Sequence, residues 1–139
     1  MTLEQNSSEN LDALAKRKSQ LTNIFLIMAI SLIIVSGIHL FSIINSGFSS
    51  VALADTVYHL VSGVIVFICS RLLKRGNRLV IYLLGAEGVI AVLYGFLMGR
   101  GFNFILVIII GYFVWQVSDL AKKGGMDLPS EQIDELKQN

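Results

Sequence analysis

Four uninterrupted apolar runs decide what this chain can fold into. They cover residues 21–44, 51–73, 79–99 and 102–120, and each is 19 to 24 residues long. A helix needs about 20 residues to cross roughly 30 Å of hydrocarbon. A membrane-spanning strand needs only about 10, with strict alternation of apolar and polar residues. These runs are continuous instead, and the one proline, Pro129, lies downstream of all four. The expected fold is therefore all-α: a polytopic membrane protein built as a four-helix transmembrane bundle. Composition agrees. Charged residues make up 15 % of the chain and hydrophobic residues 54 %, against about 25 % charged in a soluble domain. So few charges cannot cover a globule of this size, and lipid is the expected solvent for most of the surface.

The connections at residues 45–50, 74–78 and 100–101 are too short for anything but antiparallel neighbours. Three segments follow: a polar, partly amphipathic N-terminal stretch over 1–20, the helical domain over 21–120, and an acidic C-terminal tail over 121–139. Basic residues set the direction. Lys16, Arg17, Lys18, Arg71, Lys74, Arg75, Arg78, Lys122 and Lys123 fall at one end of the bundle, and Arg100 alone at the other. Nine against one predicts that both termini are cytoplasmic. The expected location is a plasma (inner) membrane, with the lipid bilayer as the first partner. Ala52-Leu53-Ala54 has the form of a signal-peptidase site. The apolar run before it exceeds 20 residues, however, where a secretory core has roughly 7–15, so the chain is expected to stay uncut.

The two polar tails each allow more than one reading, the C-terminal one being either frayed or a docking segment. Asn6-Ser7-Ser8-Glu9 can start a helix carrying Leu11 and Leu14. It reads either as a lead-in lying on the cytoplasmic surface or as a docking helix. Pro129-Ser130-Glu131 can start a second, acidic helix. The net charge of +1 gives no case for nucleic acid. One cysteine, Cys69, excludes an internal disulfide and a cysteine-rich metal cluster.

Ionisable groups inside a span cost about 2.5–3.5 kcal/mol at its centre and usually face the bundle interior. Glu87 lies near the middle of the third run. Ala91, Gly95 and Gly99 follow it at steps of four, and Gly95-Phe96-Leu97-Met98-Gly99 is a GxxxG element that lets helix backbones approach closely. This face is expected to pack on another helix, a membrane partner or a second copy. Glu87 then serves either as a protonated carboxyl bonded across the contact or as a proton relay. Asp55 and His59 stand four apart on the second run, with Ser62 continuing the face. An aspartate one turn away can orient an imidazole or hold it charged. His39, on the first run between Ser36 and Ser42, can face His59 across the hairpin. Two histidines on adjacent helices can hold a b-type haem, or a metal with Asp55 as third ligand. Tyr58, Tyr94, Phe102 and Phe104 read as an aromatic belt. Trp115, Gln116 and Asp119 read either as the lining of an inner cavity or, for Asp119, as an ion pair with Lys122 or Lys123.

His59-Leu60-Val61-Ser62-Gly63 is an H-L-x-x-G element. With it, residues 55–101 resemble small bacterial four-helix integral membrane proteins of unknown function that carry this element on their second helix. The resemblance implies a compact helical hairpin and no activity. No catalytic motif is present, so an enzyme is not expected. The expected role is a non-catalytic accessory subunit or interaction protein, including an immunity-type protein, of a larger membrane partner. The alternative is haem binding, metal binding or proton relay through His39, His59, Asp55 and Glu87.

Overall fold

The computed structural model describes residues 3–100 and 104–128, with side chains from residue 9 onward. Gly101, Phe102 and the tail from Pro129 lie outside the described residues. Four helices follow in order: α1 (Leu3–Ser46), α2 (Ser50–Lys74), α3 (Leu79–Leu97) and α4 (Phe104–Lys122). There is no strand among the described residues. All four helices are long and apolar enough to cross a membrane. Several hydroxyls within the apolar stretches are satisfied by the carbonyl one turn back. Thr22 donates to the Lys18 carbonyl at 2.9 Å, Ser31 to Ile27 at 2.9 Å and Thr56 to Ala52 at 2.8 Å. Such back-bonding keeps these three donors from facing hydrocarbon unpaired.

The helix ends are set by caps. Ser49 opens α2, its hydroxyl accepting from the Ala52 amide at 3.4 Å. Gly76 closes it at φ +72°. The Gly76 amide reaches the Leu73 carbonyl at 3.0 Å and the Asn77 amide reaches Leu72 at 2.9 Å, the bond pair of a Schellman turn. The same pair recurs after α3, where Gly99 at φ +66° bonds to Phe96 and the Arg100 amide bonds to Gly95, both at 3.0 Å. For this reason α3 stops at Leu97, short of the expected 99. Gly99 lies beyond the helix, and a Cβ added there would meet nothing within 4 Å, so it packs closely on no helix among the described residues.

A second difference concerns α1. The helix runs back to Leu3 and is 44 residues long, about 66 Å at 1.5 Å per residue. Residue 20 is therefore no break. Its polar end is fixed by two adjacent bases. Arg17 donates to Asp119 at 2.6 Å and to Gln116 at 3.0 Å. Lys18, only 1 % exposed, donates to the carbonyls of Met126 and Leu128, both at 2.9 Å. With Ala15 buried beside them, this turn of α1 packs on the end of α4 and the turn after it. Asp119 also holds Lys123 at 3.0 Å, and Trp115 points outward, 58 % exposed. Gln116 and Asp119 are thus engaged with Arg17. Asp119 pairs with Lys123, as one of its expected partners, and with Arg17.

The dry core sits at this terminal end. Phe25, Cys69, Leu73, Val80, Val117 and Leu120 are fully enclosed there. α1 and α2 run together along most of their shared length. At Gly63 an added Cβ would lie 3.0 Å from Ile33 and 3.3 Å from the Ala29 carbonyl. Towards the opposite end, where α1 turns into α2 and α3 into α4, the buried residues become polar: Ser36, Asp55, Thr56, Ser62 and Glu87. The bundle is closed at one end and cleft at the other.

Candidate functional site: a polar cleft at the loop end

The cleft begins with Asp55, in the second turn of α2 and 7 % exposed. Its carboxylate turns away from His59. One oxygen accepts from Arg100 Nη2 at 2.8 Å and the other from the Tyr94 hydroxyl. The α3 turn explains how Arg100 arrives there. Gly99 folds the chain back so that the Arg100 amide bonds to Gly95, which brings the guanidinium over the helix end. The Asp55 hydrogen bond and charge raise the Arg100 pKa above its already high value, so both partners stay charged. A charge-assisted pair and a phenol hydrogen bond together satisfy the buried carboxylate.

Aromatic rings continue the site. Tyr94 stacks on Tyr58 with centroids 4.1 Å apart and planes 2° apart. These two rings face each other across α2 and α3 rather than forming a belt, whereas Phe104 is 69 % exposed as a belt residue would be. His59 Nδ1 lies 2.7 Å from the Asp55 backbone carbonyl. A carbonyl only accepts, so Nδ1 carries the proton and a neutral ring keeps Nε2 as an acceptor. His59 also stacks on His39, with centroids 5.2 Å apart and planes 15° apart. The hairpin thus brings the two histidines together as expected. Beside them, Ser36 donates to the Thr56 carbonyl at 3.0 Å and ties α1 to α2.

The histidine geometry does not fit an axial haem pair. Axial ligation aims a ring nitrogen of each histidine at iron from opposite sides of a porphyrin. Here the two rings present their faces to each other, and the contact at Gly63, one turn further along α2, leaves no slot between α1 and α2 for a macrocycle. Nor does Asp55 join them as a third ligand, because its carboxylate is held by Arg100 and Tyr94. Among the described residues no three His, Cys, Asp or Glu side chains gather as a metal-binding group.

Two adjoining cavities make up the cleft. The first, about 640 Å³, is lined by Tyr58, His59, Ala91, Tyr94, Gly95 and Arg100. The expected small-residue face of α3 therefore borders a cavity at Ala91 and Gly95. The close approach of α3 to α4 is instead at Gly88, where an added Cβ would lie 3.2 Å from Ile110. The second cavity, about 300 Å³, shares Leu32, Tyr58 and Leu106 with the first and adds Phe25, Ser62, Glu87 and Phe113. Glu87 is 6 % exposed and Ser62 2 %. Glu87 Oε2 and Ser62 Oγ complete no well-aligned hydrogen bond among the described residues.

Sequence reasoning placed Asp55, His59, His39 and Glu87 in the interior. It missed Arg100 and the inward role of Tyr94. Gly99-Arg100 directly after an apolar run is the signal that could have found the first, since a glycine there returns the next residue towards the helix end. No protein-family model matches the chain, and no curated protein or solved structure matches it either.

Proposed function

We propose that this chain is a small multi-pass protein of a bacterial plasma membrane, both termini cytoplasmic, acting as a non-catalytic accessory or interaction subunit of a larger membrane partner. An immunity-type role falls within the same reading. The observation that carries it is the N-terminal extension of α1. From Leu3 to Lys16 the helix continues beyond the apolar run, while Arg17 and Lys18 clamp its base to α4 and to the turn at Met126. A helix of this length is marginal on its own in water. The clamp gives it a fixed direction, and Leu11, 48 % exposed, lies on it as an apolar contact for a partner. The exposed apolar side of α3, with Val89, Leu93 and Phe96, suits lipid, a partner helix or a second copy equally.

The alternative of haem or metal binding draws no support from the stacked histidines. A relay through Asp55 is disfavoured by its engagement with Arg100. Only Glu87 keeps an opening for ligand chemistry.

A photo-crosslinking residue at Leu11, used in native membranes, tests the reading. The expected result is one discrete protein adduct at Leu11 that is lost when residues 1–10 are removed; the same probe at exposed Leu93 reports whether that side of α3 meets lipid or protein. Adducts to lipid alone at both positions, together with a lone monomer in gentle detergent, would count against a partner.

A further inference from the structure

The deeper cavity holds an acid with nothing to neutralise it. Glu87 and Ser62 both line it and both are more than nine-tenths buried; the Ser62 hydroxyl lies beside the Glu87 carboxyl, but neither Glu87 Oε2 nor Ser62 Oγ completes a well-aligned hydrogen bond among the described residues. An ionised carboxylate in such surroundings needs a counter-charge. The nearest cation of the cleft, Arg100, lines the outer cavity and is taken by Asp55. Apart from the Ser31 hydroxyl, which donates to the Ile27 carbonyl, the other walls are apolar or aromatic, with Phe25, Tyr58 and Phe113 among them. Ring faces attract a cation. They cannot replace the six or more oxygen ligands that a hard inorganic ion such as calcium requires. At about 300 Å³ the space is at the small end of organic ligand pockets.

We propose that this cavity binds a small lipophilic cation, an organic ammonium with an apolar body, whose charge pairs with the Glu87 carboxylate beside the Ser62 hydroxyl. The inference goes beyond the accessory-subunit reading and does not rest on it. In the empty site the carboxyl holds a proton. Ligand entry displaces that proton to solvent, so one positive charge enters and one leaves. The route runs from the outer cavity past Tyr58, which borders both. Around Glu87, the titratable groups that α2 brings are Tyr58, which lines the same cavity, and the buried Cys69. From α1 comes the hydroxyl of Ser31, and the α4 wall of Leu106, Ile110 and Phe113 brings no titratable group.

The probe is radiolabelled benzyltrimethylammonium, measured by equilibrium dialysis on the full chain in detergent. Saturable binding of one equivalent is expected, weakening as pH falls because protons compete for Glu87. Glu87→Gln should weaken it by at least about tenfold, the scale of a lost charge-assisted contact, and Ser62→Ala by a smaller factor. The uncharged isostere neopentylbenzene should compete poorly, a control that needs no variant to fold. No saturable binding by the parent overturns the proposal. So does equal binding by a folded Glu87→Gln protein, or competition by the isostere at the probe's own concentration.

Discussion

Asp55 and Arg100 are unequal halves of one ion pair. The Asp55 side chain is 10 % exposed and that of Arg100 is 52 % exposed. Removing the arginine leaves a buried carboxylate with only the Tyr94 hydroxyl. Removing the acid leaves a guanidinium that can reach solvent, and an asparagine that can still accept from Tyr94. Arg100→Gln should therefore lower the melting temperature in detergent by several degrees, and Asp55→Asn by less. The double variant should recover most of the loss, since breaking a pair costs more than replacing it. Two single losses that simply add would show that the groups are uncoupled. The pair spans 45 residues of sequence, which is why it was not legible beforehand. His39 and His59 were legible because a short hairpin fixes their depths. Lys18 shows the opposite failure. In the sequence it is one topological charge among nine, and in the fold it is a buried donor to two carbonyls.

The existence of the four helices follows from their apolar runs, and α2, the cleanest case, starts and stops within a residue of the expected 51–73. Two errors of extent have local causes. The Gly99 turn ends α3 early, and the Arg17 and Lys18 contacts support α1 far beyond its apolar part. The close approaches within the chain were not legible for another reason. A GxxxG spacing identifies small residues but not which neighbour comes close, and here the tight approach is α2 on α1 at Gly63. Ile33, one of the atoms in the way, is 42 % exposed and can yield. The Ala29 carbonyl belongs to a helix backbone and cannot. Gly63→Val should therefore separate α1 from α2 and destabilise the protein by about 1–3 kcal/mol, the usual scale of overpacking. Gly63→Ala should cost less, and Ile33→Ala should partly rescue it. Denaturant titration in mixed micelles, followed by far-ultraviolet circular dichroism, would measure all three. A Gly63→Val protein as stable as the parent would mean that the helix pair is looser than this contact implies.

At the scale of the whole molecule, charge and packing run in the same direction. The end that carries nine basic residues is also the closed end, stitched by Arg17, Lys18 and Asp119 around the dry core. The end with Arg100 alone is the cleft end, and there the arginine is tied to Asp55. A protein inserted with its basic end in the cytoplasm would open its cleft to the opposite side. That orientation can be read chemically because the native thiol is silent: Cys69 is wholly buried. Phe48, 77 % exposed in the α1–α2 turn, and Arg75, exposed in the α2–α3 turn, are suitable single replacements at opposite ends. With a membrane-impermeant maleimide, Phe48→Cys should label in intact spheroplasts and Arg75→Cys only after lysis. The reverse pattern would put both termini outside and turn the cleft to the cytoplasm, where a ligand would have to arrive from metabolism instead of from the surroundings. Labelling of both in intact spheroplasts would mean that the chain inserts in two orientations. In that case nine charges against one would not be enough to fix its direction.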